Sequence, residues 1–152
     1  NAIKLTELEK YQKENPYNLP YSMRKFVTIA AVIAMGSDVI VMDEPTAGQD
    51  LFHYREIMEF LKQLNELGIT ILFITHDMHL MLEYTDKAYV FNEGKIIKSG
   101  NPAQILADRN VLEQANLKET SLHYVAEKTG INSEELIRTF VHYEKEQKKA
   151  GD

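Results

Sequence analysis

Two adjacent carboxylates, Asp43 and Glu44, follow a short apolar run that has the composition of a buried β-strand. Open α/β sheets place their ligand crevice at the carboxyl ends of the strands, so we expect both side chains to reach such a crevice. There, one carboxylate can hold a metal ion while the other orients and deprotonates a water molecule. The competing interpretation is that Asp43 caps the following turn and Glu44 is solvated, which is the more common outcome for an isolated Asp-Glu pair.

A histidine follows the next predicted strand in the same way. Residues 69–74 form a second, mostly apolar run, and His76 follows it after Thr75. A histidine at this edge of a sheet can hydrogen-bond a terminal phosphate, although a satisfied loop histidine is the simpler alternative. His76 and His79 also have a spacing that allows a metal site with Asp43 or Glu44, which would make the protein a metal-dependent hydrolase. Short histidine spacings are common, so this alternative is disfavoured.

The elements that would position these residues alternate between helices and strands. Residues 21–35 and 54–67 carry apolar side chains at helical spacing, and Gly68 stands where a helix C-cap is expected. The apolar run at 39–42 is continuous, which predicts a strand covered on both faces, and 69–74 is expected to be a second buried strand. Asp50 precedes the second helix and is either its N-cap or a functional residue.

The carboxyl-terminal third changes character. Residues 88–91 and 95–98 flank Asn92-Glu93-Gly94, which predicts a hairpin with a three-residue turn. Asn101-Pro102 and Asn132 are typical of helix starts. Beyond Asp108 we expect helices only. Alternating strands and helices followed by helices predict an α/β fold with a parallel sheet and a helical appendage.

Composition limits the function classes. A chain of 152 residues with 44% hydrophobic residues is long enough for one globular domain. Its net charge of −6 and pI near 5.4 argue against a nucleic-acid partner. The absence of cysteine excludes disulfides and thiolate metal sites. The longest apolar run has about ten residues, whereas a bilayer-spanning helix needs about 20, so we expect neither membrane insertion nor a secretion leader.

Three strings together resemble ABC ATPases. VIVMDEPTAGQD (residues 39–50) resembles their Walker B segment and D-loop, and ITHDMHLM (74–81) resembles their switch-histidine segment. DKAYVFNEGKIIKSGNPAQIL (86–106) resembles the hairpin and helix that end the catalytic core. The resemblance covers residues 15–107 and implies part of a P-loop NTPase of the RecA-like, ABC-type fold, with a parallel sheet and a helical signature segment. It further implies an ATPase portion at 1–107 and a helical carboxyl-terminal extension at 108–152.

The resemblance implies roles for particular residues, with ATP and Mg²⁺ as cofactors. Asp43 would hold Mg²⁺ through water, Glu44 would be the base that polarises the attacking water, and His76 would contact the γ-phosphate. Asp50 would reach across an interface to a second ABC ATPase domain. In this family two such domains face each other head to tail, and each ATP lies between the phosphate loop of one domain and the signature motif of the other. Catalysis then depends on positioning and preorganised electrostatics.

The chain departs from the family pattern because it has no G-x-x-x-x-G-K-[ST] phosphate loop. The only Gly-Lys pair, Gly94-Lys95, lies in the predicted hairpin, and Tyr89 stands in place of the first glycine. Without that backbone cradle and its lysine, the β- and γ-phosphates lose their main ligands. Family members carry this loop upstream of the segments seen here. We therefore expect the chain to be the carboxyl-terminal part of such a domain, binding ATP and Mg²⁺ weakly or not at all by itself.

The family's LSGGQ signature is also altered, since Leu19, Pro20, Tyr21, Ser22 and Met23 occupy its positions. Pro20 has no N–H to donate and Tyr21 crowds the approach to a phosphate, although Ser22 retains a hydroxyl. The nucleotide-contacting positions by resemblance are thus residues 20–23 and Asp50. We predict that the composite site completed by this signature is impaired, whereas the site containing Glu44 remains competent with a standard partner.

By this resemblance the chain is the ATPase subunit of a transporter, cytoplasmic and peripheral at the inner face of the cell membrane. It would contact a transmembrane subunit through residues 1–35. Loose motifs at 115–117 and 129–131 resemble the extension of energy-coupling-factor ATPases, which drive uptake of vitamins and transition-metal ions. The main alternative is a non-catalytic ABC-like module for interaction or regulation. A non-transport ABC ATPase acting on nucleic acid or ribosomes is disfavoured by the acidic charge.

Overall fold

A computed structural model describes residues 1–118 and 120–150 of the chain, with the backbone alone at 145 and 148–150. The chain divides into two compact units, Asn1–Ile74 and Thr75–Asp152. The first contains α1 (Ala2–Leu5), α2 (Tyr21–Ala34), β1 (Val39–Asp43), α3 (Leu51–Glu66) and β2 (Thr70–Ile74), with short 3₁₀ turns at Glu9–Tyr11 and Pro16–Asn18. The second contains α4 (Met78–Tyr84), β3 (Ala88–Asn92), β4 (Lys95–Gly100), α5 (Pro102–Ala107), α6 (Arg109–Gln114), α7 (Ser121–Thr129) and α8 (Ser133–Ala150).

The two strands of the first unit are parallel, as predicted. Their register runs from Val39 opposite Thr70 to Asp43 opposite Ile74, with α3 as the crossover between them. Parallel pairing brings the carboxyl ends of both strands to the same edge of the sheet. The residues that follow β1 therefore lie beside the end of β2.

The prediction that both faces of these strands are covered was wrong. Ile40 is only 2% exposed, but Val41 is 61% and Leu72 49% exposed on the opposite face. Helices of the first unit cover one face, where α3 packs against β2. Burial alternates along each strand for this reason, although residues 39–42 and 71–74 are continuously apolar. The helix α2 is likewise buried along one stripe, whereas Ala31 and Ala34 are exposed.

The helix α3 confirms the predicted amphipathic stripe as far as Leu64, whereas Leu67 is the C-cap residue and is exposed. The Asp50 side chain caps its first turn, and Gly68 follows its end with a φ of +95°. The Phe60 ring meets Phe26 of α2 edge to face, with centroids 5.6 Å apart. The buried side chains of the stripe are Ile57, Met58, Leu61 and Leu64.

The hairpin of the second unit has a tighter turn than predicted. Asn92 pairs with Lys95 in the antiparallel ladder, so the loop consists of Glu93 and Gly94 alone. Both loop residues have positive φ, +47° and +75°. This conformation is the one that matches the right-handed twist of the flanking strands. Asn92 therefore belongs to the strand and not to the turn.

The helices beyond residue 107 share a core with the hairpin. Val90 of β3, Ile105 of α5, Leu112 of α6 and Ile137 of α8 are buried in one apolar cluster. Asn101 and Asn132 cap α5 and α8, as their sequence context predicts. The predicted boundary between residues 107 and 108 stays a prediction. Within the described residues, no helix combines the length and apolarity needed to cross a membrane.

Candidate functional site

The Asp-Glu pair stands at the carboxyl end of β1, as predicted. Asp43 is the last residue of the ladder and its side chain is exposed. The N–H of Glu44 donates to the carbonyl of Ile74 at 2.9 Å, and the carbonyl of Glu44 accepts from Ala47 at 3.1 Å. The pair is thus held at the edge where β1 and β2 end, with Glu44 at the first residue of a turn.

Glu44 has an unusual backbone conformation. Its φ is +43°, in the left-handed region that residues other than glycine and asparagine rarely adopt. Such a conformation costs roughly 1–3 kcal/mol and persists where the surroundings enforce it. Here the two backbone hydrogen bonds and the buried ring of Pro45 enforce it. Strain of this kind is often found at functional sites, which supports a special role for the direction of the Glu44 side chain.

The strand end suits a water-mediated Mg²⁺ better than a fully protein-ligated metal. Mg²⁺ keeps several of its waters and is commonly held by one or two carboxylates together with substrate phosphates. The exposed carboxylate of Asp43 fits that requirement. No group of three or more His, Cys, Asp or Glu side chains able to hold a metal ion occurs in the described part of the chain. The metal-dependent hydrolase alternative therefore gains no support from these residues.

The altered signature lies at the start of α2. Pro20 is the N-cap residue, and its carbonyl accepts from the N–H groups of Met23 and Arg24 at 3.0 and 3.3 Å. In the first turn of any α-helix the leading N–H groups have no acceptor within the helix, and here these belong to Tyr21 and Ser22. Two amides at this turn thus remain available to an anion, while the proline contributes none.

The structure brings the signature segment close to the loop after β1. Tyr21 is 66% exposed, and its ring lies beside Gly48. A Cβ placed on Gly48 would meet Cε1 of Tyr21 at 3.7 Å and Oη at 3.9 Å, which is ordinary contact. Gly48 has a φ of +72°, so a side chain there would strain the backbone. Residues 20–23 and the loop that ends at Asp50 form one exposed region of the first unit.

Arg24 is a residue of this region that sequence reasoning missed. Its Nε donates to the carbonyl of Leu19 at 3.0 Å, and its Nη2 donates to the carbonyl of Tyr17 at 2.7 Å. A guanidinium forms such paired bonds in a fixed planar geometry. Arg24 therefore fixes the backbone that leads into Pro20. The sequence signal for these contacts was an arginine in the first turn of a helix that follows an irregular segment.

Asp50 is the N-cap of α3, and it is also paired with a histidine. Its Oδ1 accepts from the backbone N–H of His53 at 2.9 Å, and Nδ1 of His53 lies 2.9 Å from both carboxylate oxygens. The backbone hydrogen bond and, next, the imidazole lower the pKa of Asp50 from its ordinary value. Sequence reasoning assigned no role to His53. Its position three residues after a capping aspartate, on the same side of the first turn, was the missed signal.

His76 lies in the second unit, two residues after β2 ends, and it is exposed. The N–H of Asp77 donates to Oγ1 of Thr75 at 3.0 Å, and the carboxylate of Asp77 caps α4 by accepting from His79 and Leu80. His76 is thus on a short segment that is fixed on its carboxyl side by a capped helix. Its predicted contact with a γ-phosphate stays a prediction.

Comparisons with known proteins identify relatives for nearly the whole chain. A protein of Clostridium perfringens named as an ABC transporter ATP-binding protein is 46% identical over 145 residues, which is 95% of this chain and 26% of that protein. A similarly named protein of Staphylococcus aureus is 40% identical over 146 residues, with the same coverage. No protein-family model matches the chain.

Solved structures agree. CbiO1 from Clostridium perfringens, described as part of the ABC transporter complex CbiONQ, superposes with a TM-score of 0.65 at 37% identity, over 84% of this chain and 51% of that chain. An ATP-binding cassette of an ABC transporter in its ADP conformation gives a TM-score of 0.69 at 28% identity, over 77% and 48% of the two chains. The predicted fold class, an ABC-type P-loop NTPase in part, is confirmed.

Fold and sequence thus define an ATP-binding cassette protein. The chain belongs to the ABC transporter ATP-binding proteins. It spans about a quarter of the length of the curated relatives it matches, 26% of each of the two described above.

Proposed function

We propose that this chain is part of the ATP-hydrolysing subunit of an ABC transporter, converting ATP to ADP and phosphate. The observation that carries the proposal is the placement of Glu44. The residue stands at the carboxyl end of a parallel strand, in a left-handed conformation enforced by a hydrogen bond to Ile74. A base must be held within hydrogen-bonding reach of the water it activates, and a rigid turn provides such positioning.

The other predicted site residues have complementary parts in this proposal. Asp43 would hold Mg²⁺ through a water molecule, and the ion would supply charge stabilisation at the transferring phosphoryl group. Glu44 orients and polarises the attacking water. His76 hydrogen-bonds the γ-phosphate, and Asp50 reaches a second ABC ATPase domain that faces this one head to tail.

The altered signature makes the two composite sites of such a pair unequal. Pro20 removes an N–H and Tyr21 places a ring at the turn where the family has a glycine. The partner's nucleotide therefore meets fewer donors on this chain. Tyr21, Leu51 and Phe52 are all 66–70% exposed in the first unit, as expected for a surface that a partner covers.

We further propose that the subunit is cytoplasmic, acts at the inner face of the membrane, and contacts a transmembrane subunit through residues 1–35. Residues 1–107 would be the ATPase portion and 108–152 the extension. The transported solute is a vitamin or a metal ion. Supporting this are the motifs at 115–117 and 129–131 and the similarity to CbiO1, itself described as part of CbiONQ. Another solved chain with a TM-score of 0.69 at 25% identity is described as a metal-chelate type ABC transporter.

The test is Mg²⁺-dependent phosphate release. The chain alone is compared with the same chain extended at its amino terminus through a phosphate-loop segment and mixed with a partner ATPase domain. The extended pair should hydrolyse ATP, and Glu44→Gln should lower its turnover by roughly 10²–10⁴-fold while ATP binding is retained. Glu93→Gln is the matched control, because Glu93 is another glutamate with positive φ and lies in the hairpin loop. Binding without any phosphate release in the parent pair would refute the proposal.

A second candidate is a non-catalytic ABC-like module that regulates or assembles a partner. The loss of the signature at Pro20 and Tyr21 favours it, because a domain without catalytic demands tolerates such changes. The two functions differ in the same experiment. If the chain is a regulatory module, the parent chain and the Glu44→Gln variant should change the partner's hydrolysis rate by the same amount.

A further inference from the structure

Asp50 and His53 form a hydrogen-bonded pair at the start of α3. Nδ1 of His53 is 2.9 Å from Oδ1 and 2.9 Å from Oδ2 of Asp50, while Oδ1 also accepts the backbone N–H of His53. An ionised carboxylate only accepts hydrogen bonds, so Nδ1 must carry the proton. The structure therefore assigns the Nδ1–H tautomer to the neutral ring.

The geometry restricts the carboxylate. A capping bond to Oδ1 alone fixes one oxygen but allows the plane of the carboxylate to swing about that contact. The imidazole spans both oxygens and holds the plane of the carboxylate. The His53 ring is itself restrained, since its side chain is 32% exposed and it meets Phe52 edge to face at 5.5 Å between centroids.

The pair still leaves Asp50 accessible. Its side chain is 65% exposed, and Oδ2 accepts the Nδ1–H that it shares with Oδ1. A carboxylate oxygen can accept two hydrogen bonds. Oδ2 thus retains the capacity to accept a hydrogen bond from another molecule.

We propose that His53 is a positioning residue, which orients the Asp50 carboxylate toward the partner ATPase domain. This inference rests on the proposed function. His53 acts through Asp50 and does not touch nucleotide. A fixed carboxylate loses less conformational entropy when the partner binds than a rotating one, so the pair preorganises the loop for the interface.

The test separates the two ring nitrogens. In the extended protein paired with its partner domain, His53→Asn keeps an amide N–H near the position of Nδ1, whereas His53→Gln places its amide near Nε2 and His53→Phe keeps only the ring. We expect near-parental turnover for the asparagine variant and a roughly three- to tenfold fall for the other two. The KM for ATP should stay the same. When Asp50→Ser is combined with His53→Phe, the losses should not add, because both act through one contact.

A second readout needs no ATP hydrolysis. Long-range ¹H–¹⁵N spectra of the 152-residue chain should show the Nδ1–H tautomer for His53, and Asp50→Ser should abolish that preference. An Nε2–H tautomer in the parent chain overturns the proposal. So does retention of turnover by His53→Gln but not by His53→Asn, or an equal effect of all three variants. If the parent pair lacks ATPase activity while the tautomer is as expected, the proposed function fails and the positioning role fails with it, but the pair itself stands.

Discussion

The N–H of Glu44 donates to the carbonyl of Ile74, which joins the residue after β1 to the last residue of β2. The ladder itself ends one pair earlier, at Asp43 and Ile74. The bond therefore adds one hydrogen bond beyond the ladder, at the residue where the chain leaves β1 and enters the turn. The direction of the Glu44 side chain therefore depends on both strands, because a shift of β1 or of β2 would move this residue.

The altered signature predicts a gain of activity. Restoring Leu-Ser-Gly-Gly-Gln at residues 19–23 replaces Pro20 and Tyr21, returning the missing donors and removing the ring. Phosphate release by the assembled pair should rise about tenfold or more, the usual order for a preorganised donor set. Met23→Gln alone is the control and should have little effect. An unchanged rate in the fully restored variant would show that this signature is not limiting.

The Asp50 pKa predicts a pH dependence of stability. Because His53 lowers that pKa below its ordinary value of 3.8, the ionised carboxylate stabilises the folded chain above this pH. The contribution is lost as the pH falls through the lowered pKa. The difference in Tm between the parent and Asp50→Asn should be present at about pH 5 and shrink below about pH 4.

Thermal unfolding followed by circular dichroism across that range measures the difference. Asp86→Asn serves as the control, since Asp86 is exposed and lies outside any helix. A Tm difference that stays the same from neutral to strongly acid pH would contradict the prediction.

The exposed face of the first unit predicts self-association of the chain. Val41 and Leu72 are paired in the ladder, are about half exposed or more, and point to the same side. An uncovered apolar sheet face favours association. Val41→Lys should raise the dissociation constant of the self-associated form by about tenfold or more, because two copies would bring like charges together.

Sedimentation velocity over a concentration series tests this. Ile40→Lys is the contrasting variant, since Ile40 is 2% exposed and a charge there should unfold the unit. A parent chain that remains monomeric at every concentration would disprove the prediction.

The hairpin loop predicts a stabilising substitution. Glu93 has a φ of +47° and precedes Gly94, whereas asparagine followed by glycine is preferred in loops of this kind. Glu93→Asn should raise the free energy of unfolding by about 0.5–1 kcal/mol. Urea denaturation measures the change, and Glu93→Val should lower stability, because a β-branched residue resists positive φ. Equal stability of the two variants would mean that the loop conformation differs.

Local signals predicted the elements well. The caps at Asn101 and Asn132 and the apolar stripe of α3 depend on neighbouring residues, so the sequence specifies them directly. Strand burial depends on what packs against each face, which lies elsewhere in the chain. The continuous apolar runs of β1 and β2 therefore predicted cover on both faces, and the structure has cover on one.

The site shows the same division. The positions of Asp43 and Glu44 followed from the strand that precedes them. The contacts of Arg24 and His53 were not predicted, because each depends both on a side-chain rotamer and on the backbone path of the neighbouring segment. The three-residue turn was wrong because nothing in the sequence near Asn92 shows that it pairs with Lys95.

The left-handed conformation of Glu44 also bears on how the protein tolerates mutation. Glycine adopts this backbone conformation without steric cost, and a single-base change converts either glutamate codon into a glycine codon. Such a change relieves the turn of its strain while deleting the carboxylate. A laboratory screen that selects for expression or heat tolerance alone can therefore enrich a variant that is folded but does not hydrolyse ATP. Directed evolution of this chain would have to select for phosphate release in every round.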